Sequence, residues 1–478
     1  MVGSTSPLGG RVFSKPPVGS DEYVANRLAK MLDDRNRGRR DSTRLSKSAV
    51  SPAGRPGLDL LHDYYRGEPP LPWCADGWKD SVLPYLRMSR LNVAPLPVDS
   101  VVDKIVPLAW STAVEDDADG DRVADEVAVE NDMASQIAET ARSMLTFGDG
   151  YALLGDVPAG FRYPRVTAED ARYCITRDDP VTGVTTSGLK SVMDEWTGQD
   201  SWFLYGFDEH GPWVRQSVKV RGKRTWLGDR GYFEWGGQWC PLHRVRNENG
   251  VGEFEKHLSH IDRINDGIFT RIVIAKYQAW RQRGIKGLPD TRTDPVTGEE
   301  VEIDYSDAFL ADPGSLWRLP DAADIWESTP VDFGPIRLAS IDDVKQFCGM
   351  TASPIYYMFP GENESAAGAN NQAESFGTRV AKRRRVLESF QAKLWSHLFM
   401  AIGDKARAEV GRIRTEWAPI QHHSLSDMST AAASAVSAGL PWAERMTRIY
   451  QYRPADLPRL KALRDQDLMY GAVNSGPA

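Results

Sequence analysis

The chain has 478 residues, 41% hydrophobic and 26% charged, which excludes a disordered chain and leaves room for roughly two to four domains with real cores. Its net charge of −8 argues against a simple basic nucleic-acid binder. The first fifty residues run the other way, with ten Lys/Arg against five Asp/Glu, so the acidic excess lies beyond them.

Four cysteines, Cys74, Cys174, Cys240 and Cys348, stand far apart without a C-x-x-C pair. That spacing fits neither a metal framework nor a disulfide scaffold and points to a reducing compartment. No apolar run approaches ~18 residues, so no transmembrane helix is expected. Residues 1–19 are rich in Gly, Ser and Pro, without an apolar h-region. They read as a loose tail rather than a signal peptide.

In chain order, residues 20–48 read as helical, with a partial stripe of Tyr23, Leu28, Met31 and Leu32. A short helix begins at Leu58 and ends at Gly67, ahead of prolines that cannot continue it. Asn92–Trp110 reads as mixed helix and strand. Arg122–Phe147 reads as one helix, because Val123, Val127, Met133, Ile137, Ala141, Met144 and Leu145 recur at helical spacing. Gly148-Asp-Gly150 stops it. From Tyr151 to Trp239 short aromatic runs punctuated by Gly, Asp and Pro predict an irregular all-β region.

Helix returns over Gly252–Arg283, closed by Gly284, with Leu258, Ile261, Ile264, Ile268, Ile272, Ala275 and Ala279 as its stripe. A polar insert follows, from Ile285 to about Trp326. Its strand candidates are Val301-Glu-Ile303 and Leu316-Trp-Arg-Leu319. Ile336–Phe347 is helical. Then Phe359–Asn371 forms a Gly/Asn/Glu loop without Lys or Arg. It leads into a long helix, Gln372–Ile402, with Phe376, Val380, Leu387, Phe390, Leu394 and Leu398 on one face. The remainder reads as several helices interrupted by prolines. The expected class is α+β, and no internal repeat is visible.

Several enzyme-like patterns fail. Gly183-Val-Thr-Thr-Ser-Gly188-Leu-Lys-Ser191 nearly spells a phosphate loop, but Leu189 displaces Lys190 from the glycine and no apolar strand precedes it. Glu115–Asp121 with Glu126 mimics a calcium loop, but opens on Glu and puts Arg122 at the apolar position. His257 with His260, and His422 with His423, lack a third ligand, so no metal is expected. Ser424 beside His423 lacks an elbow motif. No catalytic residue and no cofactor is expected.

This order of elements resembles the portal proteins of tailed bacteriophages. The resemblance rests on Tyr64-Tyr-Arg-Gly-Glu-Pro-Pro-Leu-Pro72, Arg90-Leu-Asn-Val-Ala-Pro95, and Asn131 ahead of a helix ending Thr146-Phe-Gly-Asp-Gly-Tyr-Ala-Leu-Leu154. It continues with Gly349-Met-Thr-Ala-Ser-Pro354, the acidic loop, and Gln372-Ala-Glu-Ser-Phe376, covering residues 58–450. It implies a wing at 20–252, stem helices at 253–283 and 335–351, and a clip at 284–334. It further implies a tunnel loop at 352–371, a long wing helix at 372–403 and a crown with C-terminal tail at 404–478.

The resemblance implies a virion protein, made in the host cytoplasm, that forms a homo-oligomeric ring, dodecameric in most of the family, at one capsid vertex. Double-stranded DNA would pass through it in packaging and ejection, without sequence specificity. Other implied partners are the terminase large subunit, the head-tail adaptor, and the major capsid and scaffolding proteins, with no membrane. Glu362 and Glu364, repeated around a ring, would repel phosphates spaced at one charge per ~1.7 Å of duplex. Asn363, Asn370 and Asn371 would make brief phosphate hydrogen bonds.

Lys382-Arg383-Arg384-Arg385 covers all sides of a helix and would contact DNA or the next subunit; a solvated face is the plainer alternative. Lys276, Arg281 and Arg283 either contact DNA or favour the helix dipole. Leu258, Ile261, Ile264, Ile268 and Ile272 would pack between subunits, with Tyr277 and Trp280 as anchors; an intrachain core is the alternative. Two other functional readings stay open. One is a cytosolic carbohydrate-active hydrolase, on 15 Trp and 66 acidic residues. The other is a different phage head or tail structural protein.

Overall fold

Ser20 opens the first helix, α1 (Asp21–Arg37): its hydroxyl accepts from the Tyr23 amide at 3.3 Å. Asp21 and Glu22 occupy the first turn and Arg35 and Arg37 the last, matching the helix dipole. This computed structural model describes residues 16–40, 49–50, 55–73, 79–112, 114, 121–279, 283–295, 298–303, 305, 324–327, 331–359, 366–420, 425–450, 452 and 456–474. Past α1, the two-residue strands β1 (Arg39–Arg40) and β2 (Ala49–Val50) pair antiparallel. The helix α2 (Leu58–Arg66) ends where Gly67 turns left-handed (φ 79°). Next come α3 (Lys79–Met88), α4 (Leu96–Val102) and β3 (Pro107–Ser111).

The single helix expected over Arg122–Phe147 is two helices, α5 (Arg122–Asn131) and α6 (Met133–Phe147). Asp132 breaks them by taking the left-handed conformation (φ 48°). The cause is the buried Asn131. Its amide donates to the Val127 and Pro164 carbonyls, and its oxygen accepts from the Val166 amide at 2.8 Å. That clip fastens the break to the start of a later strand, so the apolar spacing continues while the axis does not.

Gly148 ends α6 with φ 85°, and a Cβ there would lie 2.1 Å from the Gly250 carbonyl oxygen. Gly148→Ala combines roughly 1–2 kcal/mol of left-handed strain with a backbone clash. The expected loss therefore exceeds ~2 kcal/mol in guanidinium unfolding, and an unchanged midpoint would contradict it.

Nine strands and helices fill the next stretch. They are β4 (Asp149–Leu154), β5 (Val166–Glu169), β6 (Cys174–Asp178), β7 (Thr185–Met193), β8 (Asp200–Asp208), β9 (Gly211–Val220), β10 (Lys223–Tyr232), β11 (Leu242–Arg246) and α7 (Leu258–Ala279). The strands β10-β9-β8-β7-β6 form an antiparallel meander, and β11-β4-β5 a second sheet. This bears out the all-β reading of 151–239. The apolar face of α1, Ala25, Leu28 and Leu32, seals the meander against Ile175, Leu189, Leu204 and Trp213. Asp21 fixes the same helix to β9 and β10 through Arg215 (3.0 Å) and Arg230 (2.7 Å).

After α7 the chain forms β12 (Arg283–Lys286), β13 (Thr291–Thr293), β14 (Glu300–Glu302) and β15 (Asp324–Glu327) before α8 (Phe333–Met350). The strands β12 and β15 pair antiparallel, as do β13 and β14. Arg283 and Gly284, expected to end the first stem helix, therefore stand in β12. The strand candidate at 301–303 is β14, whereas 316–319 lies outside the described residues. The helix expected over Ile336–Phe347 runs longer at both ends. Last come α9 (Ala366–Ala401), β16 (Arg414–Trp417), α10 (Leu425–Ser437), α11 (Trp442–Arg448) and α12 (Leu457–Asn474). The tail is helical as expected, apart from β16, which pairs antiparallel with β3.

The fold is α+β, in two units. One comprises Met1–Glu68, Asn92–Leu258 and Cys348–Ala478 and holds the sheets described above apart from β12–β15. The other comprises Pro69–Leu91 and Ser259–Phe347. In the second unit the chain between α7 and α8 carries the β12–β15 pair. Arg263 of α7 reaches Asp343 (2.9 Å) and Gln346 (3.0 Å) of α8. Asn265 accepts from the Leu91 amide at 2.9 Å, and Lys276 lies 5.7 Å from the Tyr85 ring. No helix among the described residues is long and apolar enough to cross a membrane.

Candidate nucleic-acid interface

The long helix α9 organises the first unit. It has no proline, and its stripe of Phe376, Val380, Leu387, Phe390, Leu394 and Leu398 is buried throughout, as the spacing predicts. It begins at Ala366 rather than Gln372. Asn370 and Asn371, expected in a loop, therefore stand in the helix. Glu362, Asn363 and Glu364 lie outside the described residues.

The basic tetrad on α9 divides by face. Lys382 and Arg385 are exposed. Arg383 turns inward, its guanidinium 2.6 Å from Glu253 and 3.3 Å from Glu248. Arg384 is buried, donates to the Lys104 carbonyl at 3.0 Å and lies 5.4 Å from the Trp417 ring. Burial lowers its pKa to about 10. Two of the four cations are thus structural.

One helical turn earlier, Arg379 does more than the tetrad and carried no signal in the sequence. It donates to Glu253 at 3.1 Å, to the Ser353 hydroxyl at 3.3 Å, and to the Thr351 and Pro97 carbonyls. Burial lowers its pKa, with Glu253 opposing. Glu253 also accepts from Asn247 at 3.1 Å. Both its oxygens are therefore taken up. This cluster walls an open cleft of about 730 Å³ whose rim carries Lys256, His257, Glu374 and Lys382.

A second cleft, of about 680 Å³, lies between α9, β11 and the turn before β7. In it His243 of β11 and His397 of α9 meet at 2.6 Å, Nε2 to Nδ1. The Trp239 ring stacks on His397 at 4.4 Å. Burial depresses the His243 pKa to about 4, and burial together with His243 and Lys393 depresses that of His397. Spacing could not reveal this pair, whose members lie 154 residues apart.

On α7, Ile261 and Ile264 are buried, while Leu258, Ile268 and Ile272 are half-exposed. Lys276 is exposed. The side chains of Tyr277, Trp280, Arg281 and Arg283 lie outside the described residues. The rejected enzyme patterns have structural explanations. Gly183 sits in a turn, and Lys190 in β7 pairs with Glu169 at 2.7 Å. Asp121 caps α5 and holds Arg407 at 2.7 Å. Residues 115–120, His422, His423 and Ser424 lie outside the described residues, among which no group of three or more His, Cys, Asp or Glu could hold a metal ion.

No protein-family model and no curated protein matches the chain. Among solved structures it is similar to a chain in the neck of a native gene transfer agent particle with C12 symmetry, at 11% identity. That match covers 79% of this chain and 94% of the other, with a TM-score of 0.41. A chain in the neck of the empty particle with C6 symmetry gives 13% identity, 80% and 96% coverage, and 0.42. One in the virion of the native particle gives 10%, 77% and 92%, and 0.39. At these TM-scores the likenesses bear no functional weight.

Proposed function

We propose that the protein is a portal subunit: identical copies close a ring, a dodecamer, at one capsid vertex and pass double-stranded DNA in packaging and ejection. The ring docks the terminase large subunit, then the head-tail adaptor, and sits among major capsid and scaffolding proteins. Stem, clip, tunnel loop, wing and crown follow the divisions given under Sequence analysis, with the stem helices bounded as α7 and α8 and the tunnel loop ending before Ala366. The observation that carries this reading is the unfinished face of α7. Ile268, Phe269, Ile272 and Val273 share one side of α7 and are half-buried in the single chain, and Leu338 on α8 is 54% exposed. Such apolar surface on a pair of neighbouring helices favours burial against further copies.

DNA contact would be sequence-independent and salt-sensitive, through Lys382, Arg385 and backbone groups. The Glu253 carboxylate, taken up by two arginines and an asparagine, is not free to act as a hydrolase's acid or base in that cleft. Native mass measurement tests the assembly. Wild type is expected as a closed multimer, and Ile268→Asp with Ile272→Asp as smaller species of unchanged helix content. A wild-type chain that stays a 53.2 kDa monomer at working concentration would overturn the reading.

A further inference from the structure

The histidine pair in the second cleft has a proton arrangement that its geometry dictates. His243 Nδ1 lies 3.0 Å from the Pro241 carbonyl oxygen, which can only accept, so Nδ1 carries the proton. In the neutral ring Nε2 is then bare, and it must accept from Nδ1–H of His397 at 2.6 Å. His397 is left with a bare Nε2. One further proton fits there without disturbing the chain of donors. A second must go to His243 Nε2, where it would oppose the Nδ1–H of His397 and set two positive charges in contact.

We propose that this pair is an acid-sensitive latch between β11 and α9: it accepts one extra proton and parts on the second, releasing the helix from the strand. The surroundings favour parting. Lys393 of α9 lines the same cleft and adds positive charge. From β11, Arg244 is held by Asp178 of β6, and Arg246 lies 3.7 Å from Asp149 of β4. Asp178 is the sole carboxylate among the described residues lining the cleft, and it already has a cation. The buried Cys240 thiol is pushed up to about 12 and stays neutral. Trp239 covers one ring face, so water does not readily replace the lost contact.

The sign follows from linkage. Both histidines titrate below their ordinary value of 6.5 when docked, so the released state binds more protons below pH 6.5. Docking is fully favoured above that pH and is lost as pH falls toward the docked values. Hydrogen exchange of the full chain tests this. The amides followed are those of Leu242–Arg246 and of residues 390–398, corrected for intrinsic rates. In wild type the opening constant is expected to rise up to ~100-fold per pH unit below 6.5 for two protons. In His397→Gln the rise should be about tenfold shallower per unit, because one titrating group is gone. A flat wild-type profile, or a His397→Gln slope equal to wild type, overturns the proposal. Should that variant not fold, nuclear magnetic resonance of isotope-labelled histidine in wild type decides. Protons on Nδ1 of both rings at neutral pH support the latch, and protons on both Nε2 atoms overturn it.

Discussion

Glu253→Ala is expected to lower stability by about 3–5 kcal/mol, the cost of breaking a buried ion pair by removing one partner. The side chains of Glu253, Arg379 and Arg383 are 7%, 10% and 13% exposed, so solvent from the adjoining cleft replaces the carboxylate only in part. Removing it leaves two guanidiniums side by side and strips Asn247 of an acceptor. Glu253→Gln keeps the shape and one acceptor, and should fall between alanine and wild type. Lys382→Ala and Arg385→Ala, on the exposed face of the same helix, should stay within ~0.5 kcal/mol of wild type. Guanidinium unfolding of the four variants checks this. A Glu253→Ala midpoint matching Lys382→Ala would show that the cluster contributes nothing net.

Trp395→Ala should cost a similar ~3–5 kcal/mol, for a different reason. Trp395 is fully buried, 5.0 Å from the Trp110 ring and 5.4 Å from Phe399. Around it, Gln391 of α9 accepts from Trp110 Nε1 of β3 (2.9 Å) and from the Thr415 hydroxyl of β16 (3.2 Å). Truncation opens a cavity at the joint of three elements, two of which, β3 and β16, form an isolated two-stranded pair. Trp395→Phe retains most of the volume and should lose less. The signature of joint failure is early exchange of the β3 and β16 amides in Trp395→Ala, ahead of β7 and β8. Uniform loss across all strands would argue against a local joint.

How far the sequence foretold this fold depended on whether the signal was local. The stripe from Phe376 to Leu398 repeats at helical spacing, and those residues are buried. The start of the same helix escaped because Ala366-Ala-Gly-Ala-Asn-Asn371 has no apolar period and a composition that favours loops. The strand β16 escaped because Arg-Thr-Glu-Trp is polar and its partner β3 lies far upstream. The α5–α6 break was hidden for a subtler reason. Apolar spacing records which residues face the core, and both helices face it; the break is set by Asn131 bonding to a distant strand.

The site shows the same division. A run of four basic residues is visible at once, but its split into two structural and two exposed cations depends on Glu253, 130 residues from Arg383, and on the Lys104 carbonyl. The acidic pair Glu362 and Glu364 is plain in the sequence and lies outside the described residues.

The 36 residues of α9 at ~1.5 Å each make a rod on the order of 54 Å long. With no proline, and only Gly368 and Gly377 as glycines, both in its first twelve residues, it has little means to kink beyond them. A push at Ala366 would arrive at Ala401 as a tilt rather than dissipate along the way. Whatever touches one end of this strut is therefore mechanically legible at the other.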